Sequence, residues 1–383
     1  MKLLVDGVFY QLASSGITRV WSSILTRLAK YPDLQIAILD RGGVPALDGV
    51  ERLEFPTYKM ATNTPADSLL IEQFCKDHGA DLFSTTYYTT PITVPMVLMV
   101  YDMIPEVLDF DLSHRAWKEK QAAISYADAF ACISDSTRRD LDRYYPGTLR
   151  RAEVTYCGVD HDIFTPRSEP EIGGFKQAFN VRRPYYLLVG AREQHLNYKN
   201  GILAFQAAQR MRDVEFELLC VGGEPSIPES WLAELPSNVS ARRIGLTDAE
   251  LACAYSGAEA LLFPSFYEGF GMPVAEAMAC GCPVVTTRSG SLEEVAGEAA
   301  VFVSGRNAEE MAEAMRAVRQ PAQRQDYVER GLIQAKKFSW DEMAAGVHKL
   351  LKAVYEQRDN PDRRNFKERW KQLRSLQALV DPT

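Results

Sequence analysis

Glu268-Gly269-Phe270-Gly271-Met272-Pro273-Val274-Ala275-Glu276-Ala277-Met278-Ala279, running on into Cys280-Gly281-Cys282-Pro283-Val284-Val285, is the stretch around which the chain is read. An apolar run at 260–263 reads as a strand, followed by a glycine-rich turn, a short helix and another strand. Gly269 and Gly271 lack a Cβ, so the backbone there can approach a ligand closely. Pro273 suits the first helical turn, where a missing N–H costs nothing, and Gly281 followed by Pro283 ends the helix. The free amides and partial positive charge of such a helix start favour phosphate. Glu268 and Glu276 flank the turn. A carboxylate cannot help to hold phosphate, so these two are expected to address hydroxyl groups beside it. Phosphate flanked by hydroxyls describes a nucleotide sugar. The plainer alternative stays open at this point: glycine-rich strand-to-helix turns are common, and Glu276 alone could be an ordinary helix residue.

Working outward, short apolar runs alternate with helical stretches. Residues 2–5, 35–39, 81–84, 96–101 and 129–133 read as strands, with helices over 16–28, 113–126 and 138–144, the last capped by the Ser134-Asp135-Ser136-Thr137 run. Residues 159–184 carry Pro166, Pro170, Gly173, Gly174 and Pro184 and read as a linker. The pattern then restarts, with strands over 185–189, 215–221, 239–244 and 260–263 and helices over 201–211 and 247–254. This alternation predicts an α/β protein of two doubly wound domains, each a parallel sheet covered by helices. Two such domains imply a cleft, with ligands at the carboxyl ends of the strands.

The chain has 383 residues, enough for two domains, and its 46% hydrophobic and 25% charged content is that of a globular protein. No run is long enough to span a bilayer, and the N-terminal Met1-Lys2-Leu3-Leu4-Val5-Asp6 does not read as a signal peptide. The seven cysteines are scattered, as expected of reduced thiols in the cytoplasm. A net charge of −8 argues against nucleic-acid binding. No metal is expected: the five histidines show no ligand spacing, and the Asp109/Asp111 pattern recurs at Asp140/Asp142 and Asp160/Asp162, as chance allows in an acidic chain.

A second constellation is Gly190-Ala191-Arg192 with Lys199-Asn200. A strand-end loop bearing Arg192 and Lys199 would meet the same site as the opening motif and neutralise a diphosphate leaving group. Ser14-Ser15-Gly16-Ile17-Thr18-Arg19 follows the first strand, again in a phosphate-tolerant position. Asp102 ends the strand Val100-Tyr101-Asp102 and either faces the cleft or caps the next turn. The basic tail, with Arg363, Arg364, Lys367, Arg369, Lys371 and Arg374 around Phe366, Trp370 and Leu373, would either lie on an anionic membrane surface or pack its apolar stripe on the first domain.

These residues together resemble the retaining nucleotide-sugar glycosyltransferases of family 4, which have the GT-B fold. The match rests on the Glu268-to-Glu276 motif, Lys199-Asn200, Pro264-Ser265, Ser291-Leu292-Glu293-Glu294-Val295-Ala296-Gly297, Gly158-Val159-Asp160 and Phe338-Ser339-Trp340, and it is strongest over residues 154–303. The resemblance implies an N-terminal acceptor domain at 1–166, a donor domain at 167–350 and a helical segment at 351–383 returning to the first domain. It implies that Glu276 binds the ribose, Glu268 the donor sugar and Lys199 the diphosphate, with Gly190 and Asn200 beside them. The backbone of Phe270, Gly271, Met272 and Pro273 would hold sugar and phosphate, Ile244 and Leu246 would lie at the base, and Gly16 would let the first domain close. Tyr101 stands where many relatives have a histidine that touches the sugar, and Arg192 departs from the family's usual arginine position. The branch it looks most like makes bacterial polysaccharide or O-antigen, sometimes from GDP-mannose. The implied activity is metal-independent hexose transfer from a GDP- or UDP-sugar to a saccharide or lipid-linked saccharide acceptor. Its place would be the cytoplasm or the inner face of the membrane. An epimerase or hydrolase of the same fold, leaning on Asp102, and a non-catalytic nucleotide-sugar-binding module are the rival readings.

Overall fold

The computed structural model describes residues 1–13, 15–59, 65–148, 151–190, 198–223 and 226–380. Two compact units divide the chain: Met1–Gly158 with Trp340–Thr383, and Val159–Ser339. Both are α/β.

In the first unit, β1 (Lys2–Asp6), β2 (Gln35–Asp40), β3 (Val50–Glu54) and β4 (Leu82–Thr85) form a sheet in the order β3-β2-β1-β4. β5 (Val97–Val100), β6 (Ala129–Cys132) and β7 (Ala152–Val154) continue it through a parallel bridge between Phe83 and Met96. Every pairing is parallel, with Leu4 opposite Ala37 on one side and Phe83 on the other. Buried apolar runs such as Leu82-Phe83 and Val97-Leu98-Met99-Val100 suit strands covered on both faces. The helix Gly16–Leu28 follows β1, capped by Ser15 and Thr18, and buries Val20, Trp21, Ile24, Leu25 and Leu28. β3 and the helix Pro65–Asp77 escape the sequence reading. β3 is an edge strand with a mostly polar face, so no apolar run announces it.

In the second unit, β8 (Tyr185–Val189), β9 (Phe216–Val221), β10 (Val239–Ile244), β11 (Ala260–Phe263), β12 (Val284–Thr286) and β13 (Ala300–Phe302) form one parallel sheet in the order β10-β9-β8-β11-β12-β13. Tyr186, Leu188, Leu218 and Leu262 meet Phe205, Met311 and Met315 from the covering helices in one core. Both units thus place their first and fourth strands side by side, the point where chain progression reverses and α/β sheets bind ligands. In the second unit those strands are β8 and β11.

Three expectations need correction. The proposed linker at 159–184 contains the helix Glu169–Ala178, with a Ser168/Glu171 capping box and Pro170 in its first turn. Ile172 and Phe175 are buried. Burying each stabilises by about 1.5–3 kcal/mol, which outweighs about 1 kcal/mol for each of Gly173 and Gly174. The unit boundary falls at Gly158 rather than 166, because Val159 bridges Ser339 and donates its amide to the Phe338 carbonyl. The helix Trp340–Glu356 lies wholly in the first unit, so the return occurs at 340 rather than 350.

The third correction concerns the tail. The helix Pro361–Val380 packs in the first unit, but its packed face is not the expected apolar stripe. Lys367, Trp370 and Arg374 are buried, whereas Phe366 and Leu373 are exposed. Lys367 lies over the Tyr126 ring, Arg363 and Lys367 pair with Asp128, and Arg374 reaches Glu119 at 3.2 Å. Long cationic side chains cover apolar surface with their stems, which lets them take core-facing positions once carboxylates meet their heads.

Candidate active site

The opening motif lies at the carboxyl end of β11. Gly271 adopts a left-handed φ of 93° and caps the helix Met272–Ala279, with Pro273 in its first turn. The eight residues carry Glu276 in mid-helix, where it is buried together with Glu268. The glycine loop is clamped from the next connection. Ser291 donates its hydroxyl to the carbonyls of Glu268 (3.0 Å) and Phe270 (2.8 Å), and its amide to the Glu268 carbonyl (3.1 Å). Gly290 makes that approach possible: its φ is 60°, and a Cβ there would sit 2.5 Å from the Glu268 oxygen. Three hydrogen bonds therefore hold carbonyls of the loop toward Ser291.

Lys199 reaches this loop from the connection after β8. Its Nζ lies 2.6 Å from Glu268 Oε1, and the side chain keeps 20% of its exposure while that of Glu268 keeps 9%. The rings of Tyr198 and Phe263 lie 5.0 and 5.1 Å from the same nitrogen. Asn200 is what fixes the lysine. It takes a left-handed φ of 53°, which asparagine tolerates better than most residues, and is buried. Its amide donates to the carbonyls of Pro264 (3.1 Å) and Gly305 (2.7 Å), tying the lysine loop to the β11 end. Expected as a donor contact, Asn200 spends its amide hydrogens on the scaffold.

Gly190, with φ 71°, ends β8 and donates its amide to the Val221 carbonyl. Ile244 is buried at the end of β10, and Leu246 is half-buried in the turn beyond it. Arg192 and Ser14 lie outside the described residues. Tyr255, which no sequence motif marked, donates its hydroxyl to Glu276 Oε2 at 3.4 Å. Burial, and then the charge of Glu276, pushes the Tyr255 phenol far above its usual range, so it stays protonated.

The first unit holds Gly16, Tyr101 and Asp102. Gly16 opens the helix behind Ser15. The Tyr101 hydroxyl is engaged inside its own unit: it accepts the Trp21 indole N–H and donates to the Thr86 carbonyl at 3.4 Å. Asp102 Oδ1 accepts the Ile104 amide at 2.9 Å, capping the turn that follows. Glu106 of the same loop pairs with the buried Lys120 at 2.6 Å and accepts the Tyr145 hydroxyl at 2.8 Å. In the second unit, by contrast, the structure brings together Lys199, Glu268, the glycine turn and Glu276.

Two families match the sequence. Glycosyltransferase Family 4 matches residues 14–163, and Glycosyl transferases group 1 matches residues 183–320. O-antigen chain mannosyltransferase B of Escherichia coli is 28% identical over 252 residues, covering 61% of this chain and 64% of its own length. The chain spans less than two thirds of the length of the curated relatives it matches. Sucrose-phosphate synthase from Thermosynechococcus elongatus shares the fold with a TM-score of 0.73 at 19% identity, covering 93% of this chain and 99% of that one. So does the Anabaena protein HepE in complex with UDP and glucose, with a TM-score of 0.71 at 15% identity over 92% and 99%. Residues 14–163 therefore form a Glycosyltransferase Family 4 domain and residues 183–320 a Glycosyl transferases group 1 domain, on the GT-B fold.

Proposed function

We propose that the chain is a retaining glycosyltransferase that moves a hexose from a nucleoside-diphosphate sugar to a hydroxyl of a saccharide or lipid-linked saccharide acceptor. The Lys199–Glu268 pair, beside the helix start at Met272, carries this reading. Without donor the two side chains neutralise each other. Donor binding exchanges partners: Lys199 turns to the diphosphate, and Glu268 to hydroxyls of the sugar. Glu276 takes the ribose hydroxyls. As the sugar–phosphate C–O bond breaks, the acceptor oxygen forms its bond on the same face, and its proton passes to a leaving-phosphate oxygen. Lys199 and the helix amides stabilise the charge that develops there. With that charge met by the protein, transfer needs no divalent metal; dialysis against a chelator leaves the rate unchanged.

The relative named a mannosyltransferase supports mannose and hence a GDP-linked donor, with UDP next. A melting-temperature screen against GDP, UDP, ADP and TDP identifies the base, since a ligand bound only by the folded chain raises stability by mass action. Product analysis follows. Transfer with retained anomeric configuration is expected. Free sugar without acceptor would mean a hydrolase, an altered sugar an epimerase, and binding without turnover a binding module. Glu276→Ala raises the donor KM about tenfold or more; an unchanged KM sinks the ribose assignment.

The same reading places the protein in the cytoplasm, with the last helix against an anionic membrane. Phe366, Leu373, Leu376 and Leu379 are exposed on that helix, with Arg364, Arg369 and Lys371 exposed among them. Among the described residues, no helix is long and apolar enough to cross a membrane. Replacing Leu376 and Leu379 by Gln lowers sedimentation with phosphatidylglycerol vesicles; equal sedimentation would remove the membrane from the proposal.

A further inference from the structure

We propose that Tyr255 is a positioning residue for the donor nucleotide, acting through Glu276. The inference rests on the reading that Glu276 meets the ribose, and adds what holds that carboxylate in place.

Tyr255 lies in the last turn of the helix Asp248–Gly257, after β10, and is fully buried. Its ring stands edge-on to Phe164, with centroids 6.3 Å apart. The hydroxyl comes to 3.4 Å from Glu276 Oε2. Glu276 itself is 5% exposed. A carboxylate so far from water needs donors to remain charged. A phenol suits that task for two reasons. It has only two torsions, and here the ring is packed, so its hydroxyl is a fixed point. It also stays protonated, because burial and the neighbouring carboxylate oppose its ionisation. Holding one oxygen of Glu276 orients the plane of the carboxylate toward the sugar hydroxyls it accepts.

Nothing in this argument asks Tyr255 to touch the donor. It predicts a specific pattern: loss of the hydroxyl weakens nucleotide binding only while Glu276 is there to be positioned.

The test is calorimetric titration of the full chain with the nucleoside diphosphate found in the melting screen, for the unaltered protein, Tyr255→Phe, Glu276→Gln and the double variant. Phenylalanine keeps the ring in its pocket, and melting curves check that the fold is retained. Tyr255→Phe is expected to weaken Kd about fivefold. In the Glu276→Gln background, Tyr255→Phe has no further effect. A ratio of one, or a ratio that persists in the Glu276→Gln background, overturns the proposal and leaves Tyr255 as a packing residue. If Glu276→Gln itself leaves Kd unchanged, the ribose assignment has failed, and with it the basis of the inference. Should Tyr255→Phe not fold, Tyr255→His, which keeps a ring and a donor, decides between loss of fold and loss of donor. Recovered affinity supports positioning, and a folded Tyr255→His protein with affinity no better than that of Glu276→Gln overturns it.

Discussion

The two units share one strand order and use its reversal point in opposite ways. In the first unit, β1 ends at Asp6, whose carboxylate takes the Arg41 guanidinium through two bonds of 2.8 Å and the Thr89 hydroxyl at 2.7 Å. Arg41 continues to Asp67 and to the Pro56 carbonyl. The three charged side chains are almost wholly removed from solvent. Thr86 ties the end of β4 to the same strand by donating its amide and hydroxyl to the Asp6 carbonyl, both at 2.9 Å. In the second unit the equivalent strand ends carry Gly190 and the Pro264-Ser265 turn, and the ion pair nearby, Lys199–Glu268, keeps its lysine partly in solvent. The same reversal thus holds a closed ion network in one half and a partly solvated ion pair in the other. Reversal points are therefore where a site can form; the side chains there decide whether one does.

Removing a charge from each point should separate the two uses. Arg41→Ala strands two buried carboxylates and is expected to lower unfolding free energy by about 3–5 kcal/mol. Urea unfolding followed by tryptophan fluorescence, to which Trp21 contributes, measures this. Lys199→Ala is expected to destabilise less than Arg41→Ala, because Lys199 meets one carboxylate and stays partly in solvent, whereas Arg41 is enclosed between two. On the proposed reaction it is expected to lower kcat about 100- to 1,000-fold, because the charge assigned to the leaving diphosphate is gone. Comparable destabilisation by both would break the comparison, since Lys199 would then be a structural cation like Arg41.

The same contrast explains what the sequence disclosed. The glycine turn between Glu268 and Glu276 was legible because such a strand-to-helix turn demands glycine at fixed places, and Gly271 does take a positive φ as the helix cap. Strands 185–189 and 260–263 were legible as buried apolar runs, and the structure has them at Tyr185–Val189 and Ala260–Phe263. Long-range partners were not. Nothing local says that Asn200 will reach Gly305, that Ser291 will clamp the turn, or that Tyr255 will find Glu276, because each pairing is made by the fold. Tyr101 and Asp102 show the converse: a strand-end position suggested ligand contact, yet the Tyr101 hydroxyl serves Trp21 and Thr86, and Asp102 takes the other alternative open to it and caps the turn at Ile104. The helix Glu169–Ala178 was hidden by its proline and glycines, whose cost is local while the burial that offsets it is tertiary.

A gentler change sharpens the picture of a first unit whose charges serve its own stability. Glu72, on the helix Pro65–Asp77, is buried, which raises its pKa, but the Thr93 hydroxyl and the amides of Thr93 and Ile92 outweigh that effect and hold the carboxyl below its usual range. The sign follows. A carboxyl with a depressed folded pKa contributes stability that is complete above its unfolded pKa, about 4.5, and is lost as pH falls through the folded value. Thr93→Val keeps the shape of the side chain and removes the hydroxyl donor. It is expected to cost about 1.5 kcal/mol near neutral pH, the scale of a hydrogen bond to a charged group. Below about pH 4.5 the penalty should shrink, as the carboxyl becomes protonated in both proteins and the charge-assisted bond disappears from each. Melting curves of the two proteins across that range read the difference directly. A penalty that stays constant into acid would assign it to packing of the Thr93 side chain instead, and would remove Glu72 from the set of charges that the first unit uses to hold itself together.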